Sequence, residues 1–255
     1  MDYEPSTGSL TQATYERIRL DILECRLRPA ERLKIGDICN ALSVSLGAVR
    51  EALSRLTSEG LVTAEPQRGF RVAPISAADF EDCAHTRSEI EQLCLRTAIA
   101  RGDLAWEAHV VAAFHRLIGT PREPDVRTGQ PDEAWAYAHE DFHEALASAC
   151  GSPRLLAIRH LQHLHYERYR RHALPFTDRL RLDEIDRDHR ALTDAAVARD
   201  TDRALAIMAR HIDSTSVTLR AGLEASGLFA RPTGAAASPK PRRRPVRELA
   251  EAPAG

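Results

Sequence analysis

The chain has no apolar run approaching the roughly 20 residues a membrane-spanning helix needs, which excludes a membrane-embedded class by this count. It has no CxxC pair. Its five cysteines, Cys25, Cys39, Cys83, Cys94 and Cys150, are odd in number, which argues for reduced, mostly buried thiols in a cytoplasmic protein rather than a disulfide scaffold. The first residues include Asp2 and Glu4 and no apolar core, so they are not read as a signal peptide. Excess charge is missing too: the formal net charge is −2, and the overall balance does not announce nucleic acid. From Ser76 to about Ser226 there is no strand pattern, only helical periodicity.

What is present fits two domains in 255 residues, with ordinary hydrophobic (43%) and charged (28%) content. The predicted architecture is mainly α: a disordered start over 1–9, a winged helix-turn-helix over 10–75, an antiparallel bundle of about six helices over 76–228, and a disordered basic tail over 229–255. Charge splits along these lines. Residues 1–75 carry ten basic and ten acidic side chains, 76–230 nineteen and twenty-five, and 231–255 six and two. The N-terminal part therefore has to gather positive charge locally, through Arg50, Arg55, Arg68 and Arg71.

The first domain is organised around 42–72. A first helix is expected over Tyr15–Cys25, and Ile35, Ile38, Ala41 and Leu42 have helical spacing. A polar break at Ser43-Val44-Ser45 follows, with Ser45 placed to cap the next helix. That helix puts Val49, Ala52, Leu53 and Leu56 on one face and Leu46, Gly47, Arg50 and Ser54 on the other. Gly60 supplies a stop, and Leu61–Ala64 and Phe70–Val72 form a hairpin around Pro66-Gln67-Arg68-Gly69. Helix, tight turn, helix and hairpin can put the second helix in a major groove and the wing beside it. The alternative is a small helical domain with a hairpin and no nucleic acid. The candidate contacts to double-stranded DNA are Lys34, Ser45, Leu46, Gly47, Arg50, Ser54, Arg68 and Gly69.

In the second domain helices are expected over Ala77–Arg101, Leu104–Ile118, Asp132–Cys150, Ser152–His172, Thr177–Arg199 and Thr201–Ala225. His139 and His143 share a helix face, and His189 and His211 sit mid-helix on an antiparallel pair, at similar heights. Four converging imidazoles suit Zn²⁺, Ni²⁺ or another borderline metal, although a histidine on an apolar face is more often structural. No motif supplies a catalytic base beside them. His160, His163, His165 and His172 on the fourth helix take surface or dimer-face roles by default.

Val44-Ser45, Val49-Arg50-Glu51-Ala52-Leu53, Glu59-Gly60-Leu61-Val62 and Arg68-Gly69-Phe70-Arg71-Val72 resemble the DNA-binding domain of the GntR family of bacterial repressors. The family's usual arginine after the serine is Leu46 here, which implies an uncommon operator. Arg87-Ser88-Glu89-Ile90-Glu91, His139-Glu140-Asp141-Phe142-His143, Asp188-His189-Arg190 and Met208-Ala209-Arg210-His211 resemble the effector (FCD) domain of its FadR subfamily, six helices fitting the VanR-like branch. That resemblance implies a divalent metal at His143, His189 and His211, with His139 where the family usually has Asp or Asn. The imidazole shifts preference toward Zn²⁺ or Ni²⁺. Arg87 is implied as a clamp on a small organic acid, with a salt bridge to Glu91 as the alternative. The function implied is a ligand-responsive repressor acting as a homodimer on a pseudo-palindromic operator. The competing readings are a metal-dependent enzyme with an accessory DNA-binding-like domain, and a constitutive DNA-binding protein without a ligand.

Overall fold

The computed structural model describes residues 7–121, 133–174 and 182–229. Helix α1 spans Thr7–Leu23, β1 Arg32–Leu33, α2 Ile35–Leu42, α3 Leu46–Ser58, β2 Val62–Glu65 and β3 Gly69–Val72. The strands form one antiparallel sheet in the order β1-β3-β2, with Glu65 opposite Gly69 at the turn.

Helix α1 starts eight residues before the expected Tyr15, so Thr7–Ser9 lie in a helix rather than in the expected disordered start. The reason is tertiary: Arg55 on α3 donates to the Gln12 side chain at 2.8 Å and lies over the Tyr15 ring at 4.0 Å, docking the early turns of α1. Helix α2 ends on Ser43, which takes the left-handed conformation (φ 53°) without being glycine. Ser45 then caps α3 by accepting from the Ala48 N–H at 3.2 Å. Val49, Ala52, Leu53 and Leu56 are buried against Ile18, Ile22, Leu61 and Val72, so one face of α3 is fixed in a core.

The bundle follows as α4 (Ala77–Arg101), α5 (Leu104–Gly119), α6 (Glu133–Ala147), α7 (Pro153–Ala173), α8 (Leu182–Val197) and α9 (Thr201–Ala225). The last turn of the expected Asp132–Cys150 helix is a separate 3₁₀ turn, Ser148–Cys150, ending on left-handed Gly151. Serines and aspartates start the helices: Ser76, Asp103, Ser152 and Asp200 each accept from a backbone N–H three residues on. The expected loop through Pro131, the start of the fifth helix at Thr177 and the basic tail beyond Phe229 lie outside the described residues.

Gly102 ends α4 with extended, not left-handed, backbone. Glycine is required there by packing, because a Cβ would lie 2.3 Å from the Trp106 ring. That ring is buried and donates its N–H to the Ala145 carbonyl at 3.0 Å, tying α5 to α6. Gly102→Ala should therefore cost about 1–3 kcal/mol by overpacking. Gly119→Ala, where an added Cβ meets nothing within 4 Å, should be near neutral; urea unfolding of both variants distinguishes them.

Candidate metal centre and nucleic-acid interface

Helix α6 carries His139 and His143 one turn apart, α8 carries His189 and α9 carries His211. Their ligand-capable nitrogens all lie within 4.8 Å of one another. Ring centroids are 4.7 Å apart for His139 and His143, 5.4 Å for His143 and His189, and 4.8 Å for His189 and His211. His143, His189 and His211 are buried. Both ring nitrogens of His143 are buried with no hydrogen-bond partner. Leaving such groups unsatisfied costs about 1–3 kcal/mol each, so the donor set fits a bound cation, and four imidazole nitrogens suit Zn²⁺ or Ni²⁺.

Burial, then the neighbouring imidazoles, pushes His139 and His143 well below the ordinary histidine range. Burial also lowers His211, against the opposing pull of Asp188. These three rings are thus neutral near pH 7, the form that ligates metals. The Asp188 carboxylate lies 3.6 Å from His211 Nδ1 and also accepts from Arg210 at 2.6 Å. A carboxylate behind a histidine fixes ring orientation, and Asp188 was not singled out from sequence, although it directly precedes His189.

A layer of charge surrounds the cluster. Arg159 donates to Glu91 at 2.9 Å and to Glu140 at 3.2 Å, and His163 Nδ1 lies 2.7 Å from Glu140. Arg87 is buried, stacks 4.2 Å from the Tyr166 ring centroid and leaves its Nε without a hydrogen bond, 3.9 Å from Glu91. Both readings of Arg87 therefore meet a long contact to Glu91, whose close partner is Arg159. Asp141 pairs with Arg116 at 2.6 Å and takes no place in the cluster.

At the other end of the molecule, Leu46, Gly47, Arg50 and Ser54 of α3 are exposed, as are Lys34, Ser45, Arg68 and Gly69. The Ser45 hydroxyl is occupied as the cap. Lys34 has only a 3.8 Å approach to Asp37, with both side chains more than two-thirds exposed, so its charge is available. Two of the four arginines expected to supply local positive charge are internal ties instead. Arg55 holds α1, and Arg71 donates to the Ala30 carbonyl and pairs with Glu65 at 3.1 Å. The default surface role for the α7 histidines is corrected as well. Only His160 is exposed; His172 is buried, and His165 Nε2 lies 2.8 Å from the Glu59 carbonyl at the end of α3.

Residues 10–72 match the bacterial regulatory proteins of the gntR family, and residues 82–214 match the FCD domain. The chain is 42% identical to an uncharacterized HTH-type transcriptional regulator, BphR, of Paraburkholderia xenovorans, covering 83% of this chain and 86% of that one. It is 35% identical to the HTH-type transcriptional repressor GlaR of Escherichia coli, over 78% and 90% of the two chains. In fold it is similar to Escherichia coli McbR/YncC, with a TM-score of 0.65 at 19% identity over 83% and 97% of the chains. The chain belongs to the GntR family of DNA-binding transcriptional regulators and carries an FCD domain. That family consists of regulators, which sets aside the enzyme alternative.

Added Zn²⁺ or Ni²⁺ should raise the melting temperature, with about 2.7 kcal/mol of stabilisation at a hundred times the dissociation constant. EDTA should reverse the shift and His143→Ala should remove it; differential scanning fluorimetry reads all three. Without metal, stability should fall as pH drops below about 6.5, because unfolded imidazoles take protons that the buried rings refuse. The slope reaches about 1.4 kcal/mol per pH unit for each such ring, and urea midpoints between pH 7 and pH 5 give it.

Proposed function

We propose that this protein is a cytoplasmic, homodimeric repressor, released from a pseudo-palindromic operator by a small organic acid that binds beside a divalent metal in the bundle. The observation that carries the reading is the two-faced α3: one face is buried in the first core and the other presents Leu46, Gly47, Arg50 and Ser54 to solvent. An exposed helix face of this kind fits a major groove, with Arg50 able to grip a guanine edge or a phosphate. Arg68 and Gly69 at the wing tip, and Lys34 ahead of α2, are placed for the backbone. Repression is supported by the likeness to GlaR, named as a repressor.

His139, His143, His189 and His211 would hold the metal, Zn²⁺ foremost and Ni²⁺ as the alternative. The ion would supply a fixed positive charge for a carboxylate. Arg87, buried with a free Nε, would take a second oxygen of the acid.

Helix α7 supports coupling between the two ends. Its Tyr166 packs under Arg87, and its Arg159 holds Glu91. Its other side touches the first domain: His165 bonds the carbonyl of Glu59, the residue at the C-terminal cap of α3, and Arg168 donates to the Ala73 carbonyl after β3. An acid that favours one placement of α7 then shifts the end of α3. Release follows only if the acid binds the two placements with different affinity.

In gel shifts with the upstream region of its own gene, Arg50→Ala should weaken binding by about 1–3 kcal/mol. No retardation of any upstream fragment by the wild-type protein would end the reading. His165→Ala should keep the thermal shift given by an acid from a panel of dicarboxylic, hydroxy and aromatic acids, yet blunt that acid's release of DNA. Unchanged release would show that the contact with Glu59 is only structural.

A further inference from the structure

Among the described residues of the first domain, the large apolar side chains that stand exposed are Leu10 and Leu46, at 44% and 56%. A single exposed leucine is ordinary on a protein surface. Leu46 is distinguished by its place, as the first residue of α3, directly after the Ser45 cap. It takes no part in the core on which Leu42 and Val44, just before it, are packed. At 3.6 residues per turn, Leu46, Arg50, Ser54 and Gly47 fall within an arc of about 100°, and all four are exposed. The N-terminal turn of a helix lying in a major groove is the part nearest the base edges, so Leu46 enters the groove ahead of Arg50.

Gly47 is a second, independent observation. Its backbone is not left-handed, and a Cβ there would meet only the Ser45 hydroxyl, at 3.9 Å. Unlike Gly102, it is not required by packing, and a helical glycine costs stability relative to alanine. Nothing within the described fold accounts for it. A missing side chain beside Leu46 lets the helix tip come close to an external surface.

The chemistry of the tip narrows what it reads. The Ser45 oxygen is engaged as the cap, accepting from the Ala48 N–H, and Leu46, Gly47 and Ala48 bring no polar side-chain atom. Base edges in the major groove present donors, acceptors and one apolar group, the C5-methyl of thymine. A leucine set against a donor or acceptor leaves it unpaired, whereas one set against a methyl gains by covering it. Leu46 is therefore suited to thymine, by apolar contact and not by hydrogen bonding.

We infer that Leu46 selects a thymine in each operator half-site by packing on its C5-methyl group, with Gly47 allowing the close approach. The inference rests on α3 being the groove helix of the proposed function, and it adds which base is selected and through which atoms.

The test starts by selecting operator duplexes from a random pool with the full chain. Each thymine of the selected sequence is then replaced by deoxyuridine, which removes the methyl and keeps the pairing, and fluorescence anisotropy reads the affinity. At one thymine per half-site the replacement should weaken wild-type binding about fourfold, the worth of one buried methyl group. Leu46→Ala should bind the thymine and uracil duplexes alike at that position, with an unchanged melting temperature. Gly47→Ala should weaken operator binding without lowering the melting temperature, and unchanged affinity would remove the close approach. A selected operator in which no replacement matters, or in which the penalty persists in Leu46→Ala, would overturn the inference and leave the proposed function standing. Failure to select any operator would overturn both.

Discussion

Helix α7 sets the terms for the rest of the structure, because it is a charged helix with buried surface on two sides. Arg159, Glu167, Arg168 and Arg170 are all less than a tenth exposed. Burial alone would raise the Glu167 carboxyl, yet Arg170 beside it holds it at about 2. Burial would likewise raise Glu140, and His163 and Arg159 hold it down. Ion pairs of this kind add little net stability over an apolar core, but breaking one strands a charge at about 3–5 kcal/mol. The helix therefore resists gradual sliding. The Glu167–Arg170 pair moves with α7, so the resistance comes from Arg159, whose bonds to Glu91 and Glu140 tie α7 to α4 and α6.

The same economy shapes the first domain. Arg55 and Arg71 are consumed in holding α1 and the wing to the helix-turn-helix, while Arg50, Arg68 and Lys34 stay exposed. A domain with so few free cations would gain only modest affinity for DNA as a monomer. In the proposed homodimer, doubling the contacts would raise affinity without adding charge to a chain whose net charge is −2. The linkage between domains costs the first one nothing of its exposed face, because His165 and Arg168 bind backbone carbonyls at its rear.

Local chemistry made much of this legible beforehand. Ser45, Ser76 and Ser152 sit at helix starts, Gly60 and Gly151 at left-handed stops, and the α9 bounds coincide with the expected Thr201–Ala225. Spacing on α6 and the antiparallel order of α8 and α9 brought four histidines together. What stayed illegible depends on partners far away in sequence. His165 looks like one more polar residue on a polar helix until Glu59, 106 residues earlier, meets it. The early turns of α1 lack a clear apolar period and are helical because of a side chain 43 residues on. Helix α7 itself was legible, at Pro153–Ala173 against the expected Ser152–His172; what its sequence hides is that Arg159, Glu167, Arg168 and Arg170 are buried alongside the apolar Tyr166, Tyr169 and Ala173.

The donor set also bears on what the proposed site would be suited to sense. A cation held by four neutral imidazoles keeps its full double charge, whereas a carboxylate ligand would have cancelled half of it. Arg87 stands in the same region, and Glu91 is already committed to Arg159. Burial of the cluster lowers the local dielectric and strengthens the resulting field. Such a site repels cations and gains little from neutral molecules, while an anion that reaches it is bound by charge as well as by shape. Exchanging a hard oxygen ligand for His139 thus acts twice. With a metal bound and His139 as a ligand, it would bias the metal toward borderline ions and would leave more uncompensated positive charge for an acid to neutralise.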